Sequence, residues 1–182
     1  MPQQVFVVGV GMTKFEKPGR PTEHAAPWDY PSMVAEAGTA ALDDAGLRFD
    51  QVEVAVASYV YGDSTSGTRA VYELGETGIP VFNVNSNCSS GSNALYLARQ
   101  LLLAGGSDVA LAVGFEKMQP GSLSEGFTDR ESPMRRIREA VESRYPSSGM
   151  PMTLEIFGAA ALEHMERYGT TAEQFGRVAE KN

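Results

Sequence analysis

Apolar residues fall along this chain in short blocks, separated by glycine, proline and small polar residues. Four blocks are Val/Ala-rich runs, at residues 5–12, 52–60, 81–85 and 108–114. Such runs, bounded by turn-forming residues, predict buried strands. Helical texture lies between them. Ser32 is a cap candidate for an Ala-rich helix over residues 33–45 that stops at Gly46. A short helix is expected over residues 68–74, after a polar turn at 61–67, and a longer one over 88–104, ended by Gly105-Gly106. The order β-loop-α-β-α-β-α-β predicts an α/β fold: a mainly parallel sheet with helices on both faces. Ligands of such sheets bind beyond the carboxyl ends of the strands.

Two stretches break the alternation. Residues 13–31 hold Pro18, Pro21, Pro27 and Pro31 and read as a loop, with Phe15, Trp28 and Tyr30 pinning it to the body. Residues 115–151 are rich in Gly, Ser, Pro and Arg, with one helical candidate at 133–143. An amphipathic helix over 154–168 closes at Gly169, and Thr170-Thr171-Ala172-Glu173 resembles a capping box for a last helix. Residues 115–182 read as an excursion from the sheet. Gly9 and Gly11 form half of a dinucleotide fingerprint, but the third glycine is missing and no helix opens after them.

The helix over 88–104 organises the chain. Ala94, Leu95, Leu97, Ala98 and residues 101–104 leave almost no polar face beyond Tyr96, Arg99 and Gln100. A helix apolar nearly all round is expected between two layers of protein. It falls short of the about 20 apolar residues of a membrane span. Cys88, the single cysteine, stands where the strand over 81–85 passes through small polar residues into the first helical turn. A lone cysteine is ordinarily a small buried hydrophobe. Here the polar flanks and the helix start point instead to a reactive thiol: the free N–H groups and dipole of a helix N-terminus stabilise a thiolate, and the same N–H groups hold a developing oxyanion. Cys88 is the candidate catalytic residue.

The totals narrow the class. The chain has 182 residues, 42% of them hydrophobic, which suits one domain, or one with an attached subdomain. A net charge of −8 argues against a nucleic-acid or anionic-membrane surface. One cysteine excludes an internal disulfide framework, and with two scattered histidines it argues against a zinc site. Met1-Pro2-Gln3-Gln4-Val5 lacks the basic start and apolar core of a signal peptide. A soluble protein of a reducing compartment is expected.

Other clusters read more plainly. Arg135, Arg136 and Arg138 form a basic group that suits a solvated helix face better than a phosphate site. Asp43-Asp44 and the pair Glu163 and Glu166 suit exposed helix faces. Ser64, Thr65 and Ser66 are turn formers without a hydrolase triad around them. His24 in the Pro-rich loop and His164 on an amphipathic helix are the only histidines that could activate a thiol, and both read as ordinary surface residues.

Several stretches together resemble the thiolase superfamily, within it the sterol-carrier-protein X and lipid-transfer-protein type. They are Tyr61-Gly62-Asp63-Ser64-Thr65-Ser66-Gly67, Gly78-Ile79-Pro80-Val81-Phe82-Asn83-Val84-Asn85, Asn87-Cys88-Ser89-Ser90-Gly91-Ser92, Gly114-Phe115-Glu116-Lys117-Met118 and Glu163-His164-Met165-Glu166-Arg167-Tyr168-Gly169-Thr170. The resemblance implies a layered α/β fold of two similar halves. Residues 1–116 would be the N-terminal α/β domain carrying the nucleophile, and 117–182 an incomplete loop domain that covers coenzyme A and the acyl chain. Cys88 matches the family nucleophile, which takes an acyl group from a 3-oxoacyl-CoA as a thioester and passes it to coenzyme A, the co-substrate. The Cys88 N–H would help form an oxyanion hole. A homodimer or higher homo-oligomer is implied, with the strand over 81–85 and the turn over 62–67 at its contact. No resident cofactor or metal is implied.

Family thiolases are about twice this length, and their second half supplies a histidine base, a second cysteine and further oxyanion donors. The chain is therefore expected to be the N-terminal part of a thiolase, with the C-terminal half absent. Three functions follow: an acyltransferase on fatty or sterol side-chain acyl-CoA, a truncated non-catalytic binding or assembly module, and a partner-dependent carbon–carbon lyase of steroid acyl-CoA. The expected setting is the cytoplasm, or the peroxisome in a eukaryote.

Overall fold

A computed structural model describes residues 4–17, 28–123 and 127–181. The chain divides into two compact units, Met1–Pro120 and Gly121–Asn182. In the first unit the sheet holds β1 (Val54–Ser58), β2 (Val81–Val84) and β3 (Ala110–Gly114), all parallel, in the order β2-β1-β3. Ala55 lies opposite Val81 on one side and Leu111 on the other. Every residue of β1 is buried, which is why Val-Ala-Val-Ala-Ser alternates in size but not in polarity.

Helices cover both faces. Ala55 and Ala57 pack with Val34 of α1 (Tyr30–Ala45) and with Ala70 and Val71 of α2 (Ser66–Val71). Val56, one step along the pleat, points to the other face and meets Ala94 and Ala98 of α3 (Ser90–Leu103). The expected α/β architecture is thus present: a parallel sheet with helices on both faces. α1 opens at Tyr30, three residues before the expected start at Met33. Asp29 takes the role of Ser32, its Oδ1 accepting from Tyr30 N at 2.8 Å, and Pro31 fits the first turn. Gly46, at φ 67°, ends the helix in the left-handed region.

One expected strand does not form. Residues 5–12 carry no strand, and Phe6, Val7, Val8, Val10 and Met12 are all well exposed. Gly9 and Gly11 let this segment's backbone press against α1, since a Cβ at either would strike the carbonyl oxygens of Ala41 and Ala37. Val10 N donates to Asp44 Oδ2 at 2.9 Å in place of a strand ladder. In the Pro-rich stretch, Trp28 is buried and Tyr30 stacks on Phe115, with centroids 5.1 Å apart. Phe15 instead points to solvent at 86% exposure, so it pins nothing.

The second unit holds α4 (Arg135–Glu142), α5 (Met152–Tyr168) and α6 (Ala172–Lys181). Arg144 bridges Glu163 and Glu166 at 3.1 and 3.0 Å, so these carboxylates serve an ion pair on an exposed helix face. The Glu155 carboxylate gathers Ser147 Oγ, Ser148 N, Ser148 Oγ and Gly149 N, and these donors hold its carboxyl below the usual carboxylate range. The capping box of α6 lies one residue beyond the expected Thr170 and Glu173. Thr171 N donates to Gln174 Oε1 at 2.8 Å, and Gln174 N donates to Thr171 Oγ1 at 3.3 Å. Among the described residues no helix is long and apolar enough to cross a membrane.

Candidate active site

The carboxyl ends of the three strands converge on one edge of the sheet. Tyr59 N donates to Val84 O at 3.4 Å, joining the ends of β1 and β2, and Phe115 N donates to Ser58 O at 3.1 Å, joining β3 to β1. The turn that follows β2 carries Cys88, which is free and exposed. Sequence placed Cys88 in the first helical turn, but α3 starts two residues later, at Ser90, with Ser89 as its N-cap residue.

The intervening residues account for the difference. Asn87 sits in the left-handed region at φ 54°, and its N–H donates to Asn85 Oδ1 at 3.0 Å. The serines lace the same turn. Ser89 Oγ donates to Ser86 O at 2.8 Å, Ser90 Oγ donates to Asn87 O at 2.6 Å, and Ser90 Oγ accepts from Ser86 N at 2.9 Å. Asn93 Nδ2 reaches back to Ser86 Oγ. Side chains that bond to nearby backbone hold a chain out of the helix. Cys88 is therefore held in a fixed, non-helical turn ahead of the helix.

The N–H groups of Ser89, Ser90 and Asn93 go to Ser86 O, Asn87 O and Ser89 O. Those of Gly91 and Ser92 have no partner among the described residues, as the first turn of a helix dictates. An exposed thiol, two free N–H groups beyond it and a helix dipole behind it make a site suited to nucleophilic attack on a carbonyl.

Two neighbours were missed at the level of sequence. Glu116, two residues beyond β3, accepts Val60 N at 3.0 Å and Tyr61 N at 2.9 Å through its two carboxylate oxygens. Tyr61 keeps its phenol proton above the usual range, through burial first, then the charges of Glu116 and of Cys88. A carboxylate straight after a buried strand, in Gly114-Phe115-Glu116, was the available signal. Also beyond β3 lies an open cleft of about 720 Å³, lined by Met12, Phe15, Trp28, Met33, Phe115 and Met118 among others. Cys88 is not in its lining. Lys117 Nζ donates to Trp28 O at its margin.

The remaining candidates lie in the second unit or outside the described residues. His164 belongs to the second unit, where Nδ1 meets Thr170 Oγ1 at 2.9 Å and the ring packs against Tyr168 with centroids 4.7 Å apart. His24 lies outside the described residues. Arg135 pairs with Glu131 at 3.0 Å and Glu139 at 2.7 Å along α4, beside the exposed Arg136, as on a solvated helix face. Arg138 is half-buried, its Nε 3.3 Å from Met152 Sδ. Among the described residues no group of acidic, His and Cys side chains is arranged to hold a metal ion.

The sheet is parallel, the turn that carries Cys88 stands at its carboxyl edge, and the fold is of the thiolase-like, condensing-enzyme type. The family model for the thiolase N-terminal domain matches residues 5–182, and the chain belongs to the thiolase family. Within it the chain is 51% identical to sterol carrier protein 2 of Gallus gallus over 183 residues, covering all of this chain and 32% of that protein. It is 45% identical over 182 residues to non-specific lipid-transfer protein-like 2 of Caenorhabditis elegans, covering 98% of this chain and 43% of that one. Acetyl-CoA acetyltransferase of Methanothermobacter thermautotrophicus is more distant, at 29% identity over 188 residues and 43% of its length. The chain thus spans about a third of the length of the sterol carrier proteins it matches. Among solved structures, the priming β-ketosynthase of the R1128 polyketide pathway superposes with a TM-score of 0.50 at 22% identity, over 65% of this chain and 44% of that one, a likeness of fold.

Proposed function

We propose that this chain is the nucleophile-bearing portion of a thiolase-type acyltransferase acting on 3-oxoacyl-CoA of fatty or sterol side-chain type. The exposed Cys88 thiol, in a side-chain-laced turn ahead of α3, carries the reading. The family membership and the sterol carrier relatives support it. In the reaction the Cys88 thiolate attacks the 3-oxo carbon, and the bond between C2 and C3 breaks. Acetyl-CoA leaves as its enolate and takes a proton, and the shortened acyl group stays on sulfur as a thioester. The thiol of coenzyme A then attacks that thioester, forms the shortened acyl-CoA and returns Cys88 as a thiol. The free N–H groups of Gly91 and Ser92 lie on the same helix start and would stabilise negative charge developing there. We place the protein in a reducing setting, the cytoplasm or the peroxisome of a eukaryote.

The test is coenzyme-A-dependent cleavage of acetoacetyl-CoA and of a longer 3-oxoacyl-CoA, by the chain expressed through its whole reading frame. Cys88→Ala is expected to lower turnover by about a thousandfold or more, as loss of a covalent nucleophile does. Turnover that survives Cys88→Ala would refute the acyltransferase and point to the carbon–carbon lyase.

A further inference from the structure

The peptide bond that enters Cys88 is gripped from one side. Asn87, just before the nucleophile, stands in the left-handed region at φ 54°. An asparagine tolerates that region better than most residues, without preferring it. Its carbonyl accepts Ser90 Oγ at 2.6 Å and Ser90 N at 3.0 Å. The same hydroxyl accepts Ser86 N at 2.9 Å, so its single proton is committed to the Asn87 carbonyl. Ser90 is 5% exposed, one turn before the buried Ala94 on the face of α3 that meets the sheet. The Asn87 carbonyl and the Cys88 N–H belong to one planar peptide unit and point in opposite directions. A bond that aims the carbonyl at Ser90 therefore aims the Cys88 N–H away from it. That N–H donates to no group among the described residues, and the thiol of the same residue is exposed.

We propose that Ser90 is a positioning residue for Cys88: by gripping the Asn87 carbonyl, its hydroxyl holds the Cys88 N–H in one direction, as a free donor beside the thiol for the oxygen of a carbonyl under attack. This rests on the acyltransferase reading for its substrate, though not for its geometry. A nucleophile's own N–H suits that task, because the attacked carbon and its oxygen come to rest next to the nucleophilic atom. Such a donor works by having its direction fixed before the reaction. The relay from Ser86 N–H through the Ser90 hydroxyl to Asn87 O fixes it, and each bond in the relay polarises the next. Its two outer partners are the two residues just ahead of Cys88. Without the hydroxyl, Asn87 O keeps only the longer bond from Ser90 N, and the peptide unit is free to swing toward the commoner right-handed conformation.

The test compares two reactions of Cys88, read by mass on the chain expressed through its whole reading frame. Iodoacetamide alkylates the sulfur by displacing iodide, and no carbonyl oxygen gains charge. p-Nitrophenyl acetate acylates it by attack on a carbonyl: the sulfur–acyl bond forms, p-nitrophenolate leaves and the thiol proton goes to solvent. Ser90→Ala is expected to slow acylation by about tenfold to a hundredfold, at or below what deletion of an oxyanion donor costs. Alkylation, which follows the thiolate alone, should stay within about twofold. Ser90→Thr restores the hydroxyl and should recover most of the loss; no recovery in a folded Ser90→Thr would count against the proposal. Parallel losses in both reactions would overturn it by making Ser90 a support for the turn alone, and so would unchanged acylation in a folded Ser90→Ala. If Ser90→Ala does not fold, Asn87 decides. Alanine resists the left-handed region that glycine enters freely. Asn87→Ala should therefore be acylated about tenfold more slowly than Asn87→Gly, with alkylation alike, and equal acylation of the two would overturn the proposal. A 3-oxoacyl-CoA that never acylates Cys88, while the ester behaves as expected, would refute the acyltransferase and leave the positioning intact.

Discussion

Gly67, inside α2, shows how closely the first unit is packed at single residues. A Cβ there would fall 2.6 Å from the Ala57 Cβ of β1 and onto the Asn83 side chain. Asn83 is itself engaged, its Nδ2 donating to Thr68 Oγ1 at 2.9 Å and its Oδ1 accepting from Thr68 N at 3.3 Å. Gly67→Ala therefore sets two effects against each other. A helical Gly replaced by Ala gains about 1 kcal/mol, and forcing a methyl into a filled site costs about 1–3 kcal/mol, to which the disturbed Asn83 pair adds. The clash wins, with a net loss of about 1–2 kcal/mol. Gly91 at the start of α3 has open space around it, so Gly91→Ala should be neutral or stabilising. Unfolding of both variants in denaturant checks the pair, and equal stabilities would contradict this packing. Residue detail of this kind was not legible in the sequence. Cys88 was found because a single thiol among small polar residues is conspicuous, but its distance from the helix depended on the left-handed Asn87 and three serine hydroxyls. Glu116 and Tyr61 were missed because their link joins residues more than fifty positions apart.

Elements were more legible than residues. The three strands that form lie inside three of the apolar runs, and Gly46, Gly105 and Gly169 end or follow helices as their left-handed backbone requires. The run over residues 5–12 misled, because an apolar run states that a segment wants cover without stating which neighbour supplies it. β2 raises the same question. It pairs with β1 on one side, and among the described residues no strand takes its other edge. Phe82 is 43% exposed there. An open apolar edge is a template for pairing with another chain, so we expect self-association through β2 and its dependence on Phe82. Phe82→Lys puts a charge on the edge and leaves the Asn83–Thr68 bonds in place. Light scattering at tens of micromolar should show a dimer or larger species for the parent chain and a shift toward monomer for the variant. A clean monomer for the parent, or no shift in the variant, would count against β2 as the contact.

For the whole molecule, the decisive feature is the helix the sequence marked as apolar nearly all round. The sheet covers the face of α3 that carries Ala94 and Ala98, with Leu97 and Leu101 half-buried beside them. The small alanines let the helix sit close to the strands. The other side is open: Leu95 is 56% exposed and Tyr96 64%. The sequence implied two layers around this helix, and one sheet supplies one. With Phe6, Val7, Val8, Val10 and Met12 also exposed, the first unit presents many large apolar side chains to solvent, the kind of surface that ordinarily marks an interface. Each large side chain left uncovered forgoes about 1.5–3 kcal/mol of burial. The 182-residue chain on its own should therefore be poorly soluble or aggregate. It is also expected to fail to turn over 3-oxoacyl-CoA, because the described residues of the first unit hold no histidine to pair with the Cys88 thiol, and a thiol without a paired base cycles inefficiently. The chain expressed through its whole reading frame should be soluble and active. Leu95→Lys with Tyr96→Lys in the 182-residue chain separates the two effects, restoring solubility without restoring turnover. A soluble parent chain of 182 residues with robust, Cys88-dependent cleavage would defeat this expectation, and would make His24 or His164 the base.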